Sequence, residues 1–365
     1  MATLSLFTYV PLWAQEIGLS DQEIAIMAAF FGFVLFIMSI ITGRLSDVLA
    51  NRKFFVVCGS FTGVITIAGY LIPNKSIFII FRTLSGLGFG MLTPSLIALV
   101  SDKGDKMGNF SSFGSFGWAL GVMISGVIGL FWLPATFIFA ALALAGSLIV
   151  ALSLRDDKSN KQTKLTDDSF ITVFWERKSA YLSLGIRHSF AMAIWTFWPL
   201  FLWELGADTF WIAIIQFTNA FTQFIIMQKY TDKLASERMI ILGLILSATA
   251  FISFTIPTNF WGIIPLQILL GFSWAFLYVG TLRYTIEKTS FDKSTSSGIL
   301  TSVQAISGIF GPIIALIIIS LGGNYVDIMF IAAIATLLTY VGFIFSKKVN
   351  NPSNTSDTKN KGFLS

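Results

Sequence analysis

Apolar runs of about 18 or more residues, the length that spans a bilayer as a helix, follow one another along almost the whole chain. They occupy 22–42, 54–72, 76–100, 108–131, 134–154, 179–203, 209–228, 239–256, 260–282, 298–321 and 326–346, and residues 1–17 form a twelfth, shorter run. Only 155–178 and the tail after Phe345 are long and polar. The pattern predicts an all-α integral membrane protein with twelve transmembrane helices and no separate soluble domain. Its expected parts are a first unit over 1–154, a cytoplasmic linker over 155–178, a second unit over 179–346 and a disordered, Asn/Ser/Lys-rich tail over 347–365.

The runs repeat. "PLWAQEIGLSDQEIAI" from Pro11 and "PLFLWELGADTFWIAI" from Pro199 have equal length and share their first two and last three residues at an offset of 188. "GRLSDVLANRK" from Gly43 aligns with "QKYTDKLASER" from Gln228 at an offset of 185, placing Asp47 over Asp232, and at that offset Arg82 and Gly86 meet Gln267 and Gly271. Gly108, Gly117, Gly121 and Val122 meet Gly298, Ser307, Gly311 and Pro312 at an offset of 190. Matches in this order predict two pseudo-symmetric six-helix bundles. By the same repeat, the start of span seven near Ala180 maps to eight residues before Met1, so either translation begins upstream or span one is shortened.

Composition agrees with the pattern: 55% of residues are hydrophobic, 12% are charged and 37 are phenylalanine, far from the usage of a soluble domain. With the amino terminus inside, only Lys75 falls in an outer connection and Arg82 and Arg187 lie within spans, leaving 21 of the 24 Lys and Arg residues cytoplasmic. Both termini are therefore expected in the cytoplasm, with the chain in the plasma membrane. The net charge of +5 is a topology signal and implies no nucleic-acid partner. The first 17 residues lack a basic segment and a small-residue cleavage site, which predicts a retained span. Cys58, the one cysteine, can form no internal disulfide.

The connection after span two resembles the most specific mark of the major facilitator superfamily of transporters, G-x-L-[GAS]-D-[RK]-[FY]-G-R-[RK]. Gly43, Leu45, Ser46, Asp47 and Arg52 fit it, whereas Val48, Leu49, Ala50 and Asn51 depart. Arg82, Gly86 and Gly88 meet the family's R-x-x-x-G-x-G in span four. Gly108, Gly117, Gly121 and Gly126 meet its antiporter signature in span five, but Val122 replaces the proline and Ser125 a glycine. "GSFGWALG" (114–121) is similar instead to span five of sugar and nucleoside proton symporters in the same superfamily. The resemblance implies two bundles around a central cavity, working by alternating access. It also implies that Asp47 latches onto the positive amino-terminal end of span eleven, near Gly298, closing the cytoplasmic side. Arg52 serves as its basic neighbour or as an ordinary positive-inside anchor, Asp232 mirrors the latch towards span five, and Arg82 serves coupling or makes a structural bond to span one, such as to Glu16.

Charges in the hydrocarbon core mark function, and no aspartate or glutamate is expected at mid-membrane. Arg187 and His188 are. Counted from Ser179, Arg187 stands about 12 Å into a core about 30 Å thick. It binds an anionic substrate group with His188 as titratable partner, or it bonds helix carbonyls with His188 a neutral interhelical donor. Adjacent helical residues point about 100° apart, so the two are not expected to face one cavity together. Gln216, Asn219 and Gln223 put three amides on one face of span eight, lining a cavity or gluing helices. Trp195 and Trp274, with Trp198, Phe272 and Tyr278, are candidates to line a substrate path. Within the linker, Phe170, Ile171, Phe174 and Trp175 can share one face of an amphipathic segment lying in the interface.

No P-loop, no metal-ligand spacing of Cys and His and no nucleophile–base pair occurs in the sequence. No enzyme activity, cofactor or metal is therefore expected. The sequence points to a monomeric secondary active transporter of a small organic solute, anionic or zwitterionic by preference, with a proton or another ion as possible coupling partner. A drug/proton antiporter, a sugar or nucleoside proton symporter and a non-transporting sensor or scaffold are the alternatives.

Overall fold

The computed structural model describes residues 2–49, 51–102, 107–153, 170–287 and 293–350, and among them it contains thirteen α-helices and no strand. These are α1 (Ala2–Glu16), α2 (Asp21–Val48), α3 (Arg52–Ala68), α4 (Lys75–Asp102), α5 (Met107–Phe131), α6 (Ala135–Ser153), α7 (Phe170–Glu176), α8 (Lys178–Glu204), α9 (Thr209–Lys229), α10 (Ser236–Ser253), α11 (Ile263–Glu287), α12 (Lys293–Ser320) and α13 (Tyr325–Asn350). Ten, all but α1, α7 and α8, are long and apolar enough to cross a membrane. α8 has the length, 27 residues, but carries Lys178, Arg187, His188 and Glu204. α1, with 15 residues, reaches only about 22 Å. α13 runs on to Asn350, four residues into the stretch expected as tail.

The helices begin and end where local chemistry requires it. Ser20 and Glu23 form a reciprocal capping box on α2: the Ser20 backbone N–H donates to Glu23 Oε2 at 2.8 Å, and the Glu23 N–H donates to Ser20 Oγ at 3.3 Å. Asn324 and Asp327 do the same for α13, at 2.8 and 3.1 Å. Asp208 accepts from the Trp211 N–H at 2.9 Å to cap α9. Gly18 and Gly206, which the 188-residue offset superimposes, end α1 and α8 with φ of 88° and 87°. A side chain at such φ would be strained.

In the first bundle α2 and α3 pack on α4, α3 on α6, and α1 against α5 and α6; in the second, α9 and α10 pack on α11, and α8 on α12 and α13. Equivalent crossings use equivalent glycines. A Cβ on Gly86 of α4 would lie 2.8 Å from the Phe31 carbonyl oxygen of α2, and one on Gly271 of α11 would lie 3.0 Å from the Asn219 carbonyl oxygen of α9. Only glycine lets these backbones approach so closely. The bundles meet along two seams, α2 on α12 and α5 on α9, with α1 also touching α8. Large apolar side chains such as Phe30, Phe61, Leu142, Ile149 and Leu338 are exposed on the outside, as a surface facing lipid requires.

The linker carries α7, whose described apolar side chains do not share one face. Val173 is buried with Tyr181, Ile240 and Leu244, and Phe174 stacks on Tyr181 at 5.7 Å. Trp175 turns outward, 58% exposed, with Lys178 Nζ 4.5 Å from its ring centroid. One short turn tucked against α8 can bury only its inward positions. The side chains of Phe170 and Ile171, and the linker residues 154–169, lie outside the described residues.

Candidate functional site

α8 is buried on almost every side, so its half-exposed positions are informative. His188 and Trp195, seven residues apart and hence on one stripe, are half-buried, while Arg187, turned about 100° away, is 2% exposed. Arg187 points into its own bundle. Its Nε donates to Ser247 Oγ of α10 at 2.8 Å and its Nη2 to Ser273 Oγ of α11 at 3.3 Å. The two hydroxyls are themselves hydrogen-bonded to each other. The guanidinium carbon lies 5.1 Å from the Phe251 ring centroid and 5.3 Å from that of Trp274. Hydroxyl oxygens and ring faces stabilise the cation without neutralising it, and no carboxylate among the described residues pairs with it.

His188 packs on the same indole: its ring stacks on Trp274 at 4.8 Å, and Trp274 stacks on Tyr278 at 5.5 Å. Its Nδ1 is buried without a hydrogen-bond partner among the described residues. Trp274 therefore contacts both residues, the guanidinium and the imidazole. Trp195, one stripe position along, packs edge-on against Trp198 at 5.2 Å.

The three amides of the α9 stripe, Gln216, Asn219 and Gln223, are buried, at 4%, 1% and 5% exposure. Gln223 Nε2 donates to Asn219 Oδ1 at 2.6 Å, and Asn219 Nδ2 donates to the Gln267 backbone carbonyl of α11 at 3.3 Å. Two of the three thus have partners within the bundle.

Arg82 is 3% exposed on α4; its Nη1 donates to the Tyr70 hydroxyl at 3.3 Å and its guanidinium carbon lies 3.9 Å from the Phe31 ring centroid. Arg52 opens α3 beside Asn51, whose Oδ1 caps the helix by accepting from the Phe54 N–H at 3.0 Å. The neighbouring Lys53 Nζ donates to the Leu152 carbonyl of α6 at 2.8 Å. The side chains of Asp47 and Asp232 lie outside the described residues, so the latch assigned to them stays a proposal. The connection that holds Asp232 is tied down by Arg283 of α11, whose Nη1 donates to the Thr231 and Leu234 carbonyls at 2.6 and 3.2 Å.

At the end that carries the α5–α6 and α8–α9 connections, the α5–α9 seam is tight. The Tyr9 hydroxyl of α1 lies 3.2 Å from the Thr209 carbonyl oxygen of α9 and 3.4 Å from that of Val122 on α5, and Thr209 Oγ1 donates to the Gly126 carbonyl of α5 at 3.2 Å. Tyr325 of α13 donates to Asp21 Oδ2 of α2 at 2.9 Å, across to the first bundle.

The sequence did not single out Ser247, Ser273 or Phe251 around Arg187, because small hydroxyls and a phenylalanine in apolar helices carry no positional mark. Gln267 did carry one, its alignment with Arg82, but a search restricted to charged groups passes over it.

Two helical bundles meeting along two seams, with ten helices long and apolar enough to cross a bilayer, define a multi-pass membrane protein. The chain belongs to the major facilitator superfamily, whose pattern matches residues 1–214 and 180–364. It is 22% identical over 331 residues to multidrug resistance protein 1 of Bacillus subtilis, covering 86% of this chain and 85% of that one. Over 165 residues it is 30% identical to an uncharacterized MFS-type transporter of Methanocaldococcus jannaschii, 43% of this chain and 42% of that one, so this match spans less than half of that relative. The crystal structure of the nucleoside transporter NupG shares the fold, with a TM-score of 0.70 and 12% identity over 95% of this chain and 98% of that one.

Proposed function

We propose that the protein is a secondary active transporter that moves a small organic solute, anionic or zwitterionic, by alternating access. It acts as a monomer in the plasma membrane with both termini in the cytoplasm. One observation carries the substrate class: Arg187 is buried among hydroxyls and aromatic rings with no carboxylate among the described residues to neutralise it. A positive charge left so in a low-dielectric interior favours an anion entering nearby. Trp274, Trp195 and His188 form the wall such a solute meets.

Ligand-induced thermal stabilisation of the purified protein tests this reading, with carboxylates, amino acids, sugars and organic cations compared on wild type and Arg187→Gln. Carboxylates or amino acids are expected to stabilise wild type. Arg187→Gln is expected to weaken them by about tenfold or more, the scale of one lost charge-assisted interaction of about 1.5–3 kcal/mol. Equal responses of the two proteins to carboxylates would leave Arg187 a structural residue. Stabilisation by cations alone would favour drug efflux.

A further inference from the structure

Two buried carboxamides remain without a role. Gln267 of α11 is fully buried, yet neither its Oε1 nor its Nε2 has a hydrogen-bond partner among the described residues. Gln216 of α9 leaves its Oε1 in the same condition. Buried polar groups in native proteins find partners in protein, water or ligand, and one left alone destabilises the fold. The other buried amides of this helix pair, Asn219 and Gln223, have theirs inside the protein.

Position separates these two from ordinary interhelical glue. Gln267, Trp274 and Tyr278 are seven and four residues apart, which places them on one face of α11. Further along that face, Trp274 and Tyr278 form the wall that meets His188. Gln267 stands about 10 Å beyond Trp274 towards the α8–α9 connection. Gln216 lies one turn from Asn219, whose amide reaches the Gln267 backbone, so the two side chains come from facing helices at neighbouring levels. The first bundle puts a guanidinium at the corresponding place, where Arg82 Nη1 donates to the Tyr70 hydroxyl and the group lies over the Phe31 ring. There Asn219 corresponds to Phe31, as the Gly86 and Gly271 crossings show.

We propose that Gln267, together with Gln216, is an uncharged recognition subsite that takes a hydroxyl group of the solute. The inference rests on the reading of the Trp274 face as the substrate wall. Two carbonyl oxygens and one NH2 offer two acceptors and a donor group, which matches a hydroxyl that both donates and accepts. A carboxylate, an acceptor only, would meet two oxygens of like polarity there. The subsite therefore adds selectivity for hydroxylated over plain solutes, independent of the charge supplied by Arg187.

Gln267→Met keeps the side-chain length and removes the amide. Binding is read by tryptophan fluorescence on the purified full chain with two matched pairs, malate against succinate and glucose against 2-deoxyglucose. In wild type the hydroxylated member of at least one pair is expected to bind about tenfold or more tightly. In Gln267→Met the preference disappears while the ligand-free melting temperature holds or rises, because an unpaired buried amide has been removed. Arg187→Gln serves as the separate control: it weakens malate and succinate alike and leaves their ratio intact, so a failure of the charge reading is told apart from a failure of this one. The absence of any preference in wild type, its survival in Gln267→Met, or a fall in the ligand-free melting temperature of Gln267→Met would each overturn the proposal.

Discussion

Gly32→Leu is expected to abolish transport while the chain still inserts in the membrane. Gly32 lies on α2 where it crosses α12 between the bundles, and a Cβ there would stand 2.8 Å from the Gly308 carbonyl carbon and 3.2 Å from the Ile309 nitrogen. Those atoms are backbone, so no side-chain rotation relieves the clash and the seam must open. Overpacking of this kind costs about 1–3 kcal/mol, sometimes more, and it falls on a contact across which the bundles must move. The partner glycine gives the internal control. A Cβ on Gly308 meets nothing within 4 Å, so Gly308→Ala is expected to match wild type in expression and melting temperature, whereas Gly32→Ala lowers the melting temperature by several degrees. Equal behaviour of the two alanine variants would remove the close crossing from the account.

Trp274→Ala has the second large effect. The indole is shared: it stacks on His188 at 4.8 Å and on Tyr278 at 5.5 Å, and it covers the Arg187 guanidinium at 5.3 Å. Its removal takes away aromatic contacts of about 0.5–1.5 kcal/mol each and a desolvated cation–π contact of about 2 kcal/mol. Together these losses put the expected destabilisation at about 3–5 kcal/mol, the range for a core tryptophan cut to alanine. Trp195→Ala, which loses one edge-on contact to Trp198, should fall well short of that. Unfolding followed by temperature or denaturant in detergent compares the two, and equal losses would mean that Trp274 is not the shared support of Arg187 and His188.

These cases show what the sequence could and could not convey. Runs of apolar residues marked the spans because crossing a bilayer needs length and hydropathy, both local properties. The repeat marked Gly18 with Gly206 and Gly86 with Gly271, because positive φ and close backbone approach tolerate little else. The angular separation of neighbours on a helix was enough to place Arg187 and His188 on different sides of α8. Which side each took was not legible, since the partners of Arg187 are two serines and two rings drawn from α10 and α11, residue types spread throughout such a chain. The Gly32–Gly308 seam was hidden for the same reason: glycine is common in these helices, and only the crossing itself distinguishes one from another. α7 was legible as apolar but not as a turn that sends Val173 inward and Trp175 outward, because its packing against Tyr181 is tertiary.

The central claim is that the two bundles open alternately around the wall formed by α8 and α11, and a reversible clamp across the α5–α9 seam tests it most directly. A Cβ on Gly129 would lie 3.2 Å from that of Thr209, near the roughly 3.5–4.5 Å that a disulfide requires. Gly129→Cys with Thr209→Cys, in a Cys58→Ser background that removes the one native cysteine, therefore locks that end on oxidation. Trp195→Cys added as a reporter is then exposed to a membrane-impermeant maleimide in right-side-out and in inside-out vesicles. Alternating access predicts labelling from both faces when the clamp is reduced, labelling from the α7 face alone when it is oxidised, and recovery on reduction. Equal labelling from both faces in the oxidised protein would contradict the account.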